Sequence, residues 1–286
     1  MGRKLIILLG PTAVGKTDYS ISLAKKYDSP IISCDSRQIY KEMTIGTAVP
    51  DASHLAEVKH YFIQTKSVMD YYTAGMYELE ALELIERLFE QGHETLVMTG
   101  GSMFYIDAVC NGISDVPQAN LELRDTLTRR LKLEGVESLA EELKEKDPEA
   151  YSSIDLSNGV RVLRALEVCL DTGRPFSSFK LAEAKKRDFE IEKIGLSRPR
   201  EELYRRIDSR VLTMIEGGLI EEARSLKEFR NLTALQTVGY KELFDYFDRT
   251  VSLDEAVSNI QQHTRKYAKR QLTWWKRDDG IKWINL

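Results

Sequence analysis

Short apolar runs separated by stretches of helical period dominate the first third of the chain. Residues 5–9 read Leu-Ile-Ile-Leu-Leu, an unbroken aliphatic run that suits a strand buried on both faces. Helix-period patterns at 17–27 and 74–90 alternate with strand-like runs at 30–34 and 95–99, the cadence of a parallel sheet with crossover helices. A helix is predicted after Gly101, running to Cys110 and stopping near Asn111-Gly112.

Beyond Ile113 strand-like runs disappear and helical patterns follow one another at 121–133, 136–146 and 160–170. A strand is predicted again at 190–196, with helices over 199–214, 216–229, 240–247 and 253–275. The pattern predicts an α/β core, residues 1–112 plus 189–286, built on a parallel sheet of the P-loop type with helices at its C-terminal end. An all-helical insertion, 113–188, interrupts it.

The chain has 286 residues, 41 Lys+Arg against 45 Asp+Glu, and a net charge of −4. Bulk attraction to polyanions is excluded, but charge is unevenly placed. In the insertion, Arg124, Arg129, Arg130 and Lys132 precede a mostly acidic stretch from 137 to 149, which reads as solvated helical faces. In the final helical pattern Arg265 and Lys269 lie one turn apart, as do Lys266 and Arg270, making two adjacent basic ridges, with Lys276, Arg277, Tyr267, Trp274 and Trp275 close by. Two readings stay open for this face, a solvated helix or a surface for phosphates and stacked bases.

The apolar run at 5–9 is far too short to span a bilayer and lacks a cleavage site after it, so no membrane role and a cytoplasmic location are expected. The three cysteines form no CxxC pair and read as buried free thiols. The four histidines show no ligand spacing, which leaves an oxygen-coordinated cation arriving with a phosphate as the expected metal. A monomer is the default expectation.

The sharpest signal is Gly10-Pro11-Thr12-Ala13-Val14-Gly15-Lys16-Thr17, which fits G-x-x-x-x-G-K-[ST] between the first strand and the first helix. The glycines let backbone N–H groups approach a phosphate chain of the ATP or diphosphate kind, the helix N-terminus adds partial positive charge, Lys16 reaches the terminal phosphate and the Thr17 hydroxyl can ligate Mg²⁺. None of the six asparagines is followed by lysine, which argues against the base-recognition motif of a GTPase. The strand at 95–99 runs into Gly100-Gly101-Ser102 with no acid at its end, unlike a hydrolysing ATPase.

An acid does end the second strand, at Asp35, followed by Ser36, Arg37 and Gln38. In a doubly wound sheet that position faces the crevice, so Asp35 is placed to take a proton from an acceptor nucleophile, the alternative being a cap on the following turn. Arg37 and Gln38 are then candidates to meet a polynucleotide in the same crevice.

Taken together these segments closely resemble the tRNA dimethylallyltransferases, also called tRNA isopentenyltransferases. The resemblance rests on G-P-T-A-V-G-K-T at 10–17, I-S-C-D-S-R-Q-I-Y at 32–40, I-G-T-A-V-P at 45–50, T-G-G-S-M-F-Y at 99–105 and R-V-L-R-A-L-E-V at 161–168. It continues through R-R-I-D-S-R at 205–210, Q-T-V-G-Y-K-E at 236–242 and A-K-R-Q-L-T-W at 268–274.

The resemblance implies transfer of a dimethylallyl group from dimethylallyl diphosphate to N6 of adenosine 37, beside the tRNA anticodon, with release of pyrophosphate. It implies catalytic roles for Asp35 as base or acceptor at the amine and for Lys16, with Thr17 and Mg²⁺, at the diphosphate. Arg210 falls at the position of the family's diphosphate-binding arginine, its plain alternative being an ion pair with Asp208 or Glu201. Ser102 stands where the family commonly has threonine, keeping the hydroxyl and losing the methyl. Contacts to the anticodon stem-loop are implied at Asp35, Ser36, Arg37 and Gln38, at Val160, Arg161 and Arg164, and at Gln236, Gly239, Tyr240 and Lys241. The basic helix would add Lys269 and Arg270. A P-loop kinase acting on a nucleoside or other small molecule, or a non-catalytic RNA-binding protein, are the competing readings.

Overall fold

A computed structural model describes residues 2–114, 116–179 and 184–286. Six parallel strands form one sheet in the order β3-β2-β4-β1-β5-β6. They are β1 (Lys4–Leu9), β2 (Ile31–Ser33), β3 (His60–Tyr61), β4 (Thr95–Gly100), β5 (Glu190–Ser197) and β6 (Ile281–Asn285). The aliphatic run of β1 lies between β4 and β5, and its residues Leu5 to Leu9 are at most 1% exposed. A strand with neighbours on both edges and helices on both faces has no polar side to present, which is why its sequence does not alternate.

The chain forms two compact units, Met1–Cys110 with Lys186–Leu286, and Asn111–Lys185. In the first, α1 (Lys16–Tyr27), α3 (Ala74–Glu90) and α4 (Met103–Asn111) follow β1, the β3 segment and β4. Helices α9 (Arg200–Glu216), α10 (Leu219–Ser225), α11 (Tyr240–Phe247) and α12 (Leu253–Trp275) complete this unit with β6. The stretch predicted as one helix over 216–229 breaks at Gly217-Gly218, where Gly218 takes φ 101°, and ends in a 3-10 turn at Lys227–Phe229. The strand β6 and the six-residue α2 (Ala52–Glu57) were not anticipated, one being a short run in a polar tail and the other a helix that buries no side chain.

The second unit contains α5 (Leu121–Glu134), α6 (Val136–Lys146), α7 (Pro148–Ser153) and α8 (Gly159–Thr172), and no strand among its described residues. Leu127, Leu139, Leu143, Val162 and Leu166 fill its core. Arg129, Lys132, Glu137, Glu141, Glu145 and Glu149 lie on solvated faces as expected, but Arg124 does not: it and Arg164 both reach Glu167, which is fully buried, at 2.7 and 3.0 Å. Arg130 pairs with Glu134 and Glu142, tying α5 to α6. The first unit resumes earlier than residue 189 because Arg187 is anchored there, paired with Glu78 at 2.8 Å and bonded to the Ala108 and Val109 carbonyls.

Candidate active site

The carboxyl ends of β1, β2, β4 and β5 converge, and the loops leaving them carry the candidate chemistry. From Leu9 the chain turns through residues 10–15 into α1. Gly10 has φ 153°, and a Cβ there would lie 2.8 Å from the Leu196 carbonyl oxygen of β5, so no other residue fits without moving the strand. Lys16 Nζ donates to the Gly10 and Pro11 carbonyls at 2.8 and 2.9 Å, folding the ammonium over its own loop. The side chains of Ala13 and Val14 are buried in an apolar cluster with Leu8, Leu196 and Ile207. The loop therefore offers a ligand its backbone together with Lys16 and Thr17.

Three side chains absent from the sequence candidates hold this loop. The Thr12 N–H donates to Gln271 Oε1 at 2.9 Å, Arg206 Nε to the Ala13 carbonyl at 2.8 Å and Arg198 Nε to the Val14 carbonyl at 2.8 Å. Gln271, 1% exposed, also donates from Nε2 to the Gly101 carbonyl at 2.8 Å and so bridges the glycine-rich loop to the β4–α4 loop. Gln271 and Arg206 lie inside segments that carried the resemblance, but the letters alone do not say which residue of a motif faces which loop.

Asp35 follows β2 and does two things. Its Oδ1 accepts from the N–H groups of Arg37 and Gln38 at 2.9 and 3.3 Å, so the turn-capping alternative is real. It also stands between two cavities: one of about 520 Å³ bordered by Thr12, Arg210, Gln236 and Tyr267, and one of about 60 Å³ bordered by Lys16, Thr17 and Gln38. The Ser102 hydroxyl accepts from the Ser36 N–H at 2.7 Å and donates to Ser36 Oγ at 3.0 Å, fixing the turn from the β4 side.

Arg210 borders both the larger cavity and an open groove lined by Arg205, Arg206 and Ala13 beside the glycine-rich loop. Among the described residues it makes no ion pair. The plain alternative fails on both partners: Asp208 pairs with Arg265 of α12, and Glu201 pairs with no arginine among the described residues. Burial, reinforced by Arg206, lowers the Arg210 pKa, and burial brings that of Lys16 down to about 8, with Asp35 opposing and Arg210 assisting. Two desolvated cations and a carboxylate thus flank one crevice, an arrangement that suits an anionic leaving group and a proton acceptor.

Of the residues expected to meet RNA, Asp35, Ser36, Arg37, Gln236, Gly239 and Lys241 border the larger cavity, with Lys266 and Arg270 of α12. Gln38 spends its amide N–H groups on the Thr47 and Ala48 carbonyls. Tyr240 is a correction: its side chain is fully buried and its hydroxyl donates to Glu222 at 2.6 Å, so it is no surface contact. Lys269 and Arg270 are exposed, whereas Arg265 is neutralised by Asp208, leaving one of the two expected ridges half paired. Val160 and Arg161 are exposed on α8 of the second unit, but Arg164 is not: it is consumed by Glu167 and the Pro117 carbonyl.

All three cysteines are buried and free. Among the described residues no group of three or more His, Cys, Asp or Glu is placed to hold a metal, and no helix is long and apolar enough to cross a membrane.

The parallel sheet, the glycine-rich loop at its carboxyl edge and the acid facing it define an α/β protein of the P-loop class. Within that class, residues 38–278 match the IPP transferase family. The chain is 53% identical over 281 residues, 98% of its length and 93% of the relative's, to tRNA dimethylallyltransferase 1 of Porphyromonas gingivalis. Its fold is similar to the crystal structure of the full-length tRNA isopentenylpyrophosphate transferase of Bacillus halodurans, with TM-score 0.71 and 36% identity over 99% of this chain and 90% of that one. A eukaryotic dimethylallyltransferase crystallised acting on tRNA gives TM-score 0.83 at 25% identity, over 99% of this chain and 74% of that one. The chain belongs to the IPP transferase family.

Proposed function

We propose that this protein transfers a dimethylallyl group from dimethylallyl diphosphate to N6 of adenosine 37 in the anticodon loop of tRNA, releasing diphosphate. The observation that carries the reading is Asp35, set between the cavity that borders Lys16 and Thr17 and the larger one edged with basic and aromatic side chains. The diphosphate sits on the backbone of the glycine-rich loop and the N-terminus of α1, with Lys16 and Arg210 meeting its charge. As the C1–O bond breaks, its electron pair leaves with the diphosphate, and preorganised cations there supply most of the acceleration. The N6 lone pair forms the new bond to C1, and the amine proton passes to Asp35. Its Oδ1 is held by two backbone N–H groups, which leaves Oδ2 to receive the proton.

Adenine N6 is a weak nucleophile because its lone pair is delocalised, so alignment matters more than basicity. The base reaches Asp35 only by leaving the loop stack, a step cheaper in a single-stranded loop than in a duplex. The donor set fits Mg²⁺: a lone hydroxyl, Thr17, next to diphosphate oxygens matches a cation that takes few protein ligands and several phosphate and water oxygens. When bound it neutralises charge on the leaving group. Acting on tRNA places the protein in the cytoplasm, and a single copy of the chain is sufficient for the reaction.

The test is to offer labelled dimethylallyl diphosphate and, in parallel, ATP labelled at its terminal phosphate to the protein with anticodon stem-loop RNA and Mg²⁺. Label in RNA from the first donor alone is expected. Label transferred from ATP to a nucleoside would instead support a kinase.

A further inference from the structure

We infer that Glu222 is a positioning residue that fixes the wall of the acceptor cleft against Asp35. The inference deepens, and rests on, the transfer reaction proposed above. Glu222 lies on α10, outside every segment that carried the resemblance. Its carboxylate nevertheless collects four donors from two other parts of the unit. Oε2 accepts from the N–H groups of Thr44 and Ile45 at 3.0 and 2.7 Å. Oε1 accepts from the Gly46 N–H at 2.9 Å and from the Tyr240 hydroxyl at 2.6 Å. A carboxylate has about four lone-pair sites, and here each is used.

Three successive N–H groups turned to one carboxylate make a small anion-binding nest, closed in this case by a side chain of the same protein. Among the described residues Glu222 has no cationic partner, so its charge is met by these N–H dipoles and the Tyr240 hydroxyl. The segment it grips is built to fit closely, for a Cβ on Gly46 would lie 2.6 Å from the Tyr240 ring.

The gripped segment continues into the site. Gly46, Thr47 and Ala48 border the same cavity as Asp35, and Ala48 is held at φ 53°, a conformation that a non-glycine residue keeps only under constraint. From the other side Gln38 Nε2 donates to the Thr47 and Ala48 carbonyls at 3.1 and 2.9 Å, while the Gln38 N–H donates to Asp35 Oδ1. A continuous set of hydrogen bonds therefore runs from Glu222 through residues 44–48 and Gln38 to Asp35. The carboxylate touches no reacting atom; it sets where the cleft wall stands relative to the base, and reaction rate is sensitive to displacements of this kind on the scale of 1 Å. The glycine-rich loop is held separately, by Gln271, Arg206 and Arg198.

The test uses the full-length protein with Glu222→Ala, Glu222→Gln and Tyr240→Phe. In Glu222→Ala, kcat/KM for the RNA is expected to fall roughly 10-fold to 100-fold, while KM for dimethylallyl diphosphate stays within about twofold because the loop that grips it has its own anchors. Amide hydrogen exchange in the protein alone is expected to quicken at residues 44–48 and to stay unchanged at 10–17. Glu222→Gln keeps one acceptor oxygen and should fall between wild type and alanine; Tyr240→Phe removes a single donor, should lose least, and remains informative where the alanine variant does not fold. Equal losses toward both substrates, or wild-type exchange at 44–48, would overturn the inference. A wild-type protein that transfers no label would overturn the reaction instead, and the exchange measurement would still decide the role of Glu222.

Discussion

At the scale of single residues the site depends on side chains that hold two jobs at once. Asp35 caps its own turn through Oδ1 and borders the crevice. Alanine would remove the cap together with the base, whereas Asp35→Asn keeps an acceptor for the turn. Asp35→Asn is therefore expected to lower kcat by roughly 10²-fold or more, the range of a lost general base, with KM for dimethylallyl diphosphate little changed. Steady-state kinetics with both substrates varied will check it, and wild-type turnover would remove Asp35 from the mechanism.

Lys16, whose pKa burial brings down to about 8, carries its charge below that pH and sheds it above. Accordingly kcat/KM for dimethylallyl diphosphate should fall as pH rises through about 8. Lys16→Met should raise KM and flatten that limb of the profile. A limb that survives the substitution would belong to another group.

Among elements, α12 does more than its charge pattern suggested. Its inward face carries Gln271, which joins the glycine-rich loop to the β4–α4 loop, and Tyr267, which donates to the Gly101 carbonyl at 3.2 Å. Gln271→Leu would orphan the part-buried Thr12 N–H, while the Gly101 carbonyl keeps the Tyr267 hydroxyl. A loss of about 1–3 kcal/mol is expected in chemical denaturation, together with a higher KM for dimethylallyl diphosphate. Unchanged stability would mean that water replaces the amide.

The chain announced its elements well where period and punctuation agreed. The bounds of α3, α6, α11 and α12 are those the pattern predicts, since each has a clear apolar stripe and polar ends. The two-residue β3 and the terminal β6 are defined by their neighbours in the sheet and have no local signature. The candidate site was legible as far as it lies on motifs: Gly10 to Thr17, Asp35 and Arg210 meet around one crevice. Glu222, Arg198 and Gln271 escaped, because what they do is reach across the fold to another loop, and no spacing along the chain encodes that. Tyr240 was misplaced for the converse reason, as a motif tyrosine can sit in the core as readily as on the surface.

For the whole molecule, a net charge of −4 is compatible with RNA binding only if cations are gathered on one face. Lys266 and Arg270 border the cleft, and Lys269 is exposed on the same helix, whereas Arg265 and, in the second unit, Arg124, Arg130 and Arg164 are spent on internal pairs. Reversing Lys269 and Arg270 to glutamate is thus expected to weaken stem-loop binding and to flatten its dependence on log salt by about 0.7 per lost phosphate contact, with diphosphate binding intact. Salt slopes identical to wild type would exclude this helix as an RNA surface.

The most direct measurement is a single-turnover reaction of the wild-type protein with labelled dimethylallyl diphosphate and anticodon stem-loop RNA, followed by nuclease digestion to nucleosides. The label is expected on N6 of the adenosine at position 37, with the same experiment on Asp35→Asn giving the same product far more slowly. Label on any other nucleoside, or an equal rate from the variant, would contradict the account.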